Sequence, residues 1–382
     1  MTDYRMQNKK LKIAVAMSGG VDSSVAAKLL HGQGHEVVGI FLHFWKPSYA
    51  KALEGKGRDN FDLSAVALAE AENKCCSAEA LLDARRAADK IGIPIYTLNF
   101  AEIFKKQVVD NFLSEYKKGR TPNPCVRCNK SVKLGLLIKQ AKKLGYDYVA
   151  SGHYVNLKQK DKKFSLHKAK DENKDQSYFL YTFNQNELKH LLFPLGNYTK
   201  LQVRRLAKKF NLPAAGKPES QEICFVPGKS HNEFLRRHLK LTSGKIKTMD
   251  GKILGRHQGL PLYTIGQRKG IKIGGTGPYY AAKMNYKTNV LYVANDSHNK
   301  ILYSNKLIAK NVNWLAGAAP GLPLKCQAVI RYGHKPVKCL VAKAGKNSFQ
   351  VKFKEPQRAI APGQSVVFYE KNQVLGGGII EH

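Results

Sequence analysis

The stretch that decides the fold is residues 12–24, Lys-Ile-Ala-Val-Ala-Met-Ser-Gly-Gly-Val-Asp-Ser-Ser. Ile13–Met17 is a short apolar run that predicts a buried β-strand. Ser18, Gly19 and Gly20 follow as a tight turn, in which the missing Cβ atoms let successive backbone N–H groups face one point. The apolar residues of a helix follow at helical spacing, and two glycines then predict its end: Val21, Val25, Leu29 and Leu30, with Gly32 and Gly34.

A glycine turn between a strand and a helix N-terminus is an anion-binding arrangement, because backbone N–H groups and the positive end of the helix dipole meet there. No Gly-Lys-Ser/Thr follows the turn, so this is not a Walker A loop. The run Ser18–Ser24 resembles the pyrophosphate-binding loop of the N-type ATP pyrophosphatase superfamily. The resemblance implies an enzyme that adenylates an oxygen and releases pyrophosphate. The alternative is an ordinary strand–turn–helix junction whose glycines serve only steric needs.

The composition favours a folded protein with a polyanionic partner. The chain has 382 residues, of which 43% are apolar, enough for two or three domains. Its formal net charge of +36 favours nucleic acid over a membrane as the partner, although a generally lysine-rich proteome is an alternative explanation. The sequence has no run of 18 apolar residues, and its first ten residues lack the apolar core of a signal peptide. We therefore expect a cytoplasmic protein without a membrane segment.

The cysteines point in the same direction. They are seven in number, which is odd, and only Cys125, Cys128 and Cys224 lie in motif-like surroundings. A reducing cytoplasm with catalytic or metal-binding thiols explains this pattern better than a secreted disulfide framework does.

Strands alternate with helices over the first part of the chain. The predicted strands are Ile13–Met17, Glu36–Leu42, Ile95–Asn99 and Asp147–Ser151, and helices are predicted at Val21–Leu30, Cys75–Lys90 and Ile103–Tyr116. Such alternation is typical of an α/β fold with a doubly wound parallel sheet, whose ligands bind at the carboxyl ends of the strands. The glycine turn lies at such an end.

The next part of the chain is less regular. Residues 45–60 predict a loop, and the basic segment 156–176 predicts either an RNA-facing element or a solvated hairpin. Short helices are predicted at Asn186–Leu192 and Lys200–Phe210, and Pro213–Pro218 predicts a linker. The section that follows, up to about Met284, is rich in glycine and predicts a small, turn-rich domain.

The last hundred residues change to a period of two, which is typical of β-strands. The predicted strands are Val290–Ala294, Cys326–Arg331, Phe349–Lys354 and Ser365–Tyr369. Turn signals between them favour a small antiparallel β-barrel. We therefore predict three domains, at residues 1–215, 216–284 and 285–382.

Thr121-Pro-Asn-Pro-Cys-Val-Arg-Cys-Asn-Lys130 is the second strong motif. Its prolines precede a predicted helix N-terminus, where the helix dipole would lower the pKa of a thiol, and Arg127 and Lys130 would act in the same direction. Cys128 is therefore a candidate nucleophile. Half of a zinc site is the alternative, but no second Cys-x-x-Cys or His pair follows at zinc spacing.

Six motifs in one order resemble the tRNA-specific 2-thiouridylases over nearly the whole chain. They are Ser18–Ser24, Thr121–Lys130, Ser151-Gly-His-Tyr154, Lys174-Asp-Gln-Ser-Tyr-Phe-Leu180, Glu219-Ser-Gln-x-x-Cys-Phe225 and Gly255–Gly270. The resemblance implies an N-type ATP pyrophosphatase catalytic domain, a small central domain and a C-terminal β-barrel that contacts tRNA. It also implies ATP-dependent 2-thiolation of a wobble uridine, with ATP and Mg²⁺ as cofactors. The implied partners are tRNA and a persulfide relay protein or cysteine desulfurase, and we expect a monomer.

The resemblance also implies residue roles. Cys128 would be the nucleophile, and Cys224 would carry a persulfide and form a transient disulfide with Cys128. The ATP-binding residues would be Ala16, Met17, Ser18, Gly19, Gly20, Val21, Asp22, Ser23, Leu42 and Gly152. The target base would contact Asn123, Pro124 and Cys125. His153 and Gln364 would also lie close to the base, Lys174, Asp175 and Gln176 would contact the anticodon region, and Arg331 and Tyr332 of the barrel would contact tRNA.

Cys125 departs from the family pattern, because many members carry an aspartate there to which an acid–base role is assigned. Cysteine is a weaker replacement, so that role is open in this chain. Cys125, Cys128 and Cys224 also make up three ligands for a [4Fe–4S] cluster with one open iron, a mechanistic alternative to the persulfide.

Two other classes of protein compete with this interpretation. An amidotransferase or lysidine synthetase would share the glycine loop but would not need paired thiols. A basic tRNA-binding protein with a relic nucleotide site would bind RNA without ATP and would form no AMP.

Overall fold

The structure is a computed structural model that describes residues 10–44, 77–217, 223–226, 231–274 and 277–381. The predicted loop at 45–60 and the Glu219–Glu222 part of the Cys224 motif lie outside these ranges. In chain order the N-terminal elements are β1 (Lys12–Met17), α1 (Val21–Gly32), β2 (Glu36–His43), α2 (Ala78–Ile91), β3 (Ile95–Asn99), α3 (101–117), α4 (Pro124–Cys128), α5 (Gly135–Lys143), β4 (Tyr148–Ser151), β5 (Asn156–Lys160), β6 (Lys163–His167), α6 (Gln185–Leu188), β7 (Leu191–Leu192) and α7 (Lys200–Lys209).

A five-stranded parallel sheet with helices on both faces forms the N-terminal region. Its strand order is β3-β2-β1-β4-β7. Alternate residues of β1 are buried in two different cores: Ile13 and Val15 pack with α1, α2 and α7, whereas Ala14 and Ala16 pack with α3 and α5. Both faces of the sheet are therefore covered, and the predicted doubly wound α/β fold is confirmed.

Two predicted helices differ from the observed elements. The helix expected at Asn186–Leu192 ends at Leu188, and β7 follows it and pairs with β4. Leu191 and Leu192 are both fully buried, which a paired strand at the sheet edge allows. The helix expected at Ile103–Tyr116 is α3, which consists of Ala101–Phe104, a π-helical segment Lys105–Val109 and Asp110–Lys117.

The central region is a short helix and a four-stranded sheet. Its elements are α8 (His231–His238), β8 (Gly244–Thr248), β9 (Ile253–His257), β10 (Tyr280–Asn285) and β11 (Val290–Ala294), and the strand order is β10-β11-β8-β9. We expected Val290–Ala294 in the barrel, but this strand pairs with β10 and β8. Alternation predicts a strand without specifying its sheet, and Leu291 is buried here opposite Ile246. We therefore propose that the second domain boundary lies after Ala294; the first stays a prediction.

The C-terminal region is a closed antiparallel β-barrel of six strands, as predicted. They are β12 (Tyr303–Trp314), β13 (Leu324–Val329), β14 (Val337–Gly345), β15 (Ser348–Arg358), β16 (Ser365–Glu370) and β17 (Gln373–Ile380). The order β12-β15-β14-β13-β16-β17 closes through pairing of β17 with β12. The basic segment after β4 is the hairpin β5–β6, which extends this sheet where His167 faces Gln373. No helix in the described ranges is long and apolar enough to cross a membrane.

Barrel closure depends on a glycine of β17 that has no room for a side chain. A Cβ atom at Gly377 would lie 2.6 Å from the Val366 carbonyl oxygen and 2.8 Å from the Tyr181 ring. We expect Gly377→Ala to lower the free energy of unfolding by about 1–3 kcal/mol, because overpacking displaces neighbouring atoms. Scanning calorimetry measures this as a lower melting temperature. Gly321→Ala is the control, since no atom lies within 4 Å of its added Cβ; equal melting temperatures for the two variants would contradict the prediction.

Candidate active site

The glycine loop joins β1 to α1 as predicted. Gly19 has φ +73°, and a Cβ atom there would lie 2.4 Å from the Ala80 carbonyl oxygen of α2. Gly20 is the extended N-cap residue of α1 and supplies no side-chain cap. Inside the turn, the Ser23 hydroxyl accepts a hydrogen bond from the Ser18 backbone N–H at 3.2 Å and donates one to the Gly20 carbonyl at 3.1 Å. The turn is thus held open at a helix N-terminus, which favours an anion.

The end of β4 meets the first turn of α1 at Gly152. A Cβ atom there would lie 2.7 Å from the Asp22 carbonyl carbon and 2.8 Å from the Ser23 backbone nitrogen. Only glycine allows this approach. Other predicted nucleotide-binding residues lie at the same edge, but their side chains are buried: Ala16, Met17, Val21 and Leu42. Any contact of these four with a nucleotide would therefore involve mainly their backbone.

Asp22 is at the centre of a small polar network beside the glycine loop. Lys200, the first residue of α7, donates to both carboxylate oxygens of Asp22 at 2.7 and 2.8 Å. The Tyr154 hydroxyl also donates to Asp22, at 2.7 Å. Lys200 is nearly buried, with its side chain 11% exposed, so its positive charge is held at the anion site. No pattern in the sequence indicates Lys200, because one lysine of a basic amphipathic helix resembles the others.

The Thr121–Lys130 motif forms α4, which begins as predicted. The Asn123 side chain caps the helix by accepting from the backbone N–H groups of Cys125 and Val126 at 3.1 and 3.3 Å, and Pro124 is the first helical residue. Cys125 is therefore in the first turn, whereas Cys128 is the last residue of α4 and is buried. This places Cys125 closer than Cys128 to the positive end of the α4 dipole, and the role of Cys128 as the nucleophile stays a prediction.

The two cations expected to act on Cys128 have other partners. Arg127 donates to the Gln107 carbonyl, and Lys130 forms an ion pair with Glu187 of α6. The Lys130 ammonium also lies 5.3 Å from the centre of the Phe183 ring. These contacts fix α4 against α3 and the α6 region.

Cys224 is held in place by the residue that follows it. Phe225 is 2% exposed, and the centre of its ring lies 5.6 Å from that of Phe104, 5.3 Å from Phe112 and 5.5 Å from Phe234. Cys224 is half-buried and packs against the same hydrophobic core that contains Cys128. Although the sequence motif includes Phe225, nothing in the pattern indicated that it is the anchor.

His153 follows Gly152 directly after the end of β4. Its Nδ1 is hydrogen-bonded to the Ser151 hydroxyl at 2.8 Å, and the residue is buried. Burial, together with the positive charge of Lys133 in the π-helical continuation of α4 (Asn129–Lys133), holds the pKa of His153 well below its usual value. The structure gives His153 a packing role; its contact with tRNA stays a prediction.

The Lys174–Gln176 segment is also tied to this edge. The Asp175 carboxylate accepts from the Ala169 backbone N–H at 2.9 Å and from the Ser177 hydroxyl at 2.7 Å. Burial raises the pKa of Asp175, and these hydrogen bonds oppose the rise. The Gln176 side chain accepts from the Tyr154 backbone N–H at 2.9 Å. The segment therefore braces Tyr154, the residue that contacts Asp22.

The barrel carries three residues that the family resemblance predicts to contact tRNA: Arg331, Tyr332 and Gln364. The Gln364 side chain donates to the Thr121 carbonyl at 2.8 Å, directly before α4. Tyr332 is 41% exposed and packs on Phe179, with ring centres 4.5 Å apart. Arg331 is half-buried beside it, and burial lowers its pKa. Gln364 thus joins barrel and catalytic domain, whereas Tyr332 offers an aromatic surface on which a base can stack.

Comparisons with known proteins match this order of domains. Residues 11–228 match the model of the tRNA methyl transferase HUP domain, 232–295 that of the tRNA methyl transferase PRC-barrel domain, and 304–380 that of the aminomethyltransferase beta-barrel domain. Fold and site thus define a HUP-type α/β domain with a glycine loop at the end of its first strand, followed by two smaller β domains.

Full-length relatives narrow the class to one family. The chain is 46% identical to the tRNA-specific 2-thiouridylase MnmA of Carboxydothermus hydrogenoformans over 374 residues, 97% of each chain. It is 44% identical to the protein of the same name from Geotalea uraniireducens over 378 residues, 98% of this chain and 96% of the relative. It is 42% identical to tRNA-specific 2-thiouridylase MnmA 2 of Thermoanaerobacter sp. strain X514, over 97% and 98% of the two chains. The chain belongs to the tRNA-specific 2-thiouridylase family, and the resemblance of its six motifs is confirmed.

The low pKa of the buried His153 predicts how the stability of the folded protein depends on pH. Its pKa in the folded protein lies below the ordinary value of 6.5, so below pH 6.5 the unfolded chain binds a proton that the folded protein does not. Stability is therefore lost as the pH falls from 7 to 5, by at most about 1.4 kcal/mol per pH unit for this residue. Denaturant unfolding of His153→Gln should show a shallower loss over this range. His298→Gln, on the exposed surface, is the control and should keep the parent slope; an unchanged slope in His153→Gln would contradict the assignment.

Proposed function

We propose that this enzyme thiolates C2 of the wobble uridine of tRNA in two chemical steps. The uridine C2 oxygen attacks the α-phosphorus of ATP and displaces pyrophosphate, which makes AMP the leaving group at C2. Sulfur from a persulfide on Cys224 then replaces AMP. The observations that support the proposal are the close contact of the glycine loop with Gly152 at the end of β4 and the packing of Cys128 and Cys224 in one hydrophobic core.

The transfer of sulfur to C2 requires both thiols. The terminal persulfide sulfur of Cys224 attacks C2, and AMP leaves. The Cys128 thiolate then attacks Sγ of Cys224, so the S–S bond of the persulfide breaks, sulfur stays on C2 and a Cys128–Cys224 disulfide forms. A thiol reductant restores both cysteines, and a persulfide relay protein or cysteine desulfurase reloads Cys224. The bond between the thiols requires their Cβ atoms to come within about 4.5 Å of each other.

In the described part of the chain, Cys125, Cys128 and Cys224 do not form a set of ligands for an iron–sulfur cluster. Within the part of the chain that the structure describes, which includes Cys125, Cys128 and Cys224, no three Cys, His, Asp or Glu side chains are grouped to hold a metal ion. We derive no step through a [4Fe–4S] cluster. Mg²⁺ fits only as a companion of the nucleotide phosphates, where it would neutralise their charge, with Asp22 as the carboxylate in the loop.

The test is nucleoside mass spectrometry of unmodified tRNA incubated with the enzyme, ATP and a persulfide donor, after aerobic, metal-stripped purification. We expect 2-thiouridine with the parent enzyme and none with Cys224→Ser. Cys128→Ser should still form AMP and pyrophosphate but should make at least about 100-fold less product, because the persulfide bond is not opened.

Cys326→Ser is the matched thiol control, because this cysteine lies on barrel strand β13. Product from Cys224→Ser would rule out the persulfide step. Product only after anaerobic iron–sulfur reconstitution would favour the cluster. RNA binding without AMP formation in any sample would favour a relic RNA-binding protein.

A second prediction for the same reaction concerns the ion pair between Lys200 and Asp22. Lys200→Ala leaves the Asp22 carboxylate without its ion-pair partner next to the phosphate site, and we expect the KM for ATP to rise about tenfold or more, as for a lost partly buried charge pair. Lys200→Arg keeps the charge and should recover most of the affinity. Lys208→Ala, on the exposed face of α7, is the control. An unchanged KM in Lys200→Ala would show that the pair is only structural.

A further inference from the structure

Lys217 lies at the end of the part of the chain that packs on the α2 side of the parallel sheet. It follows the 3₁₀ turn Pro213–Gly216, in which Ala214 is buried with residues of α1, α2 and α7. The Lys217 backbone N–H donates to the Ala214 carbonyl at 3.1 Å, and the Lys217 carbonyl accepts from Arg204 of α7 at 3.4 Å. The backbone of Lys217 is therefore fixed on this side of the sheet.

Two carboxylates of α2 bind the Lys217 ammonium. It donates to Asp83 and, at 2.8 Å, to Glu79. The Asp83 side chain is only 8% exposed, whereas that of Glu79 is 78% exposed, so Asp83 is the partner that water replaces less readily. These hydrogen bonds, that from Asp83 first, raise the pKa of Lys217 and keep the ammonium charged. Arg86 lies further from Asp83, at 3.9 Å, so Lys217 is the closer cation of the buried carboxylate.

Asp83 also packs against the glycine loop. A Cβ atom at Gly19 would lie 3.1 Å from the Asp83 Cβ and 2.4 Å from the Ala80 carbonyl oxygen. Gly19 has φ +73° and belongs to the turn that we predict to hold the ATP phosphates. One side chain, that of Asp83, therefore links Lys217 to this turn.

The surroundings of Cys224 lie on the opposite face of the sheet. Phe225 belongs to the core that contains residues of α3 and α5, and Cys224 packs against that core. Cys224 follows Lys217 by seven residues, so their Cα atoms are at most about 25 Å apart. Because this short connection joins residues on two faces of a sheet, the position of Lys217 restricts that of the Cys224 thiol.

We propose that Lys217 is a positioning residue for sulfur transfer, whose ion pair with Asp83 holds the start of the Cys224 segment next to the glycine loop. The proposal rests on the proposed function for the identity of the reaction. There, adenylated uridine reacts either with the persulfide, which gives 2-thiouridine and AMP, or with water, which gives back uridine and AMP. A persulfide that is held in place favours the first outcome, because the competing hydrolysis needs no positioned reagent.

The yield of 2-thiouridine per AMP measures this role. The variant is Lys217→Met combined with Asp83→Asn, which removes both charges and leaves no buried carboxylate unpaired beside the phosphates. We expect this yield to fall about tenfold, and the KM for ATP to stay within about twofold of the parent value, because a misplaced reactant slows its own step and not nucleotide binding. Unfolded molecules form neither product, so a smaller folded fraction does not change the yield per AMP.

The matched control is Asp89→Asn combined with Lys90→Met. It removes the same two charges from exposed positions near the end of α2 and should keep the parent yield and KM. Lys217→Arg keeps a cation at Asp83 and should recover most of the parent yield. The proposal is overturned by an unchanged yield in the Lys217→Met/Asp83→Asn variant, by an equal fall in the control, or by a higher KM with an unchanged yield.

A thiol equilibrium separates failure of this proposal from failure of the proposed function. Oxidised dithiothreitol takes two electrons and two protons from Cys128 and Cys224, so that their disulfide and reduced dithiothreitol form, and peptide mass spectrometry gives the equilibrium constant. We expect this constant to fall about tenfold in the Lys217→Met/Asp83→Asn variant, because the effective concentration of one thiol at the other falls. An equal or larger constant would overturn the positioning role. If the parent makes no 2-thiouridine but the constants differ as expected, the proposed function fails and the positioning role stands.

Discussion

The site depends on the contact between the end of β4 and the first turn of α1. With any side chain at residue 152 the two backbones would be forced apart, because an added Cβ would lie within 3 Å of the Asp22 and Ser23 backbone. This contact puts the anion-binding N-terminus of α1 beside the residues that follow β4. His153 and Tyr154 are those residues, and the Tyr154 hydroxyl donates to Asp22 in the first turn of α1. One glycine therefore allows the first turn of α1 and the residues after β4 to meet.

Two contacts from later in the chain complete this arrangement. Phe225 inserts among three aromatic rings and holds Cys224 on the core of the catalytic domain. Gln364 bonds to the Thr121 carbonyl, so the barrel supports the segment that leads into α4. The catalytic domain thus supplies the chemistry, but the position of its cysteine helix also depends on the barrel, which explains why a chain with such different domains acts as one enzyme.

The spacing of apolar residues predicted the helices and strands in which that spacing is regular. Features that arise from tertiary contacts were missed. The strand at Ile13–Met17 was found because a buried parallel strand is continuously apolar. The pairing of Val290–Ala294 with the central sheet was missed because alternation of apolar and polar residues predicts a strand but not the strand with which it pairs. Motifs located the glycine loop and the cysteines, but Lys200 was missed because its role comes from a carboxylate far away in sequence. The contacts of Arg127 with Gln107 and of Lys130 with Glu187 were missed for the same reason, since these partners lie on other helices.

Acidic residues pair with lysines in one part of this basic chain and not in another. The chain has 28 acidic and 64 basic residues, so carboxylates are scarce and most cations are without one. At the active-site edge carboxylates hold the lysines that shape the site: Asp22 holds Lys200, Glu187 holds Lys130, and Asp83, packed next to Gly19, holds Lys217. On the barrel the lysines face each other instead. Paired cations are fixed in position, as chemistry at a phosphate requires, whereas unpaired cations on a sheet surface remain available to a polyanion.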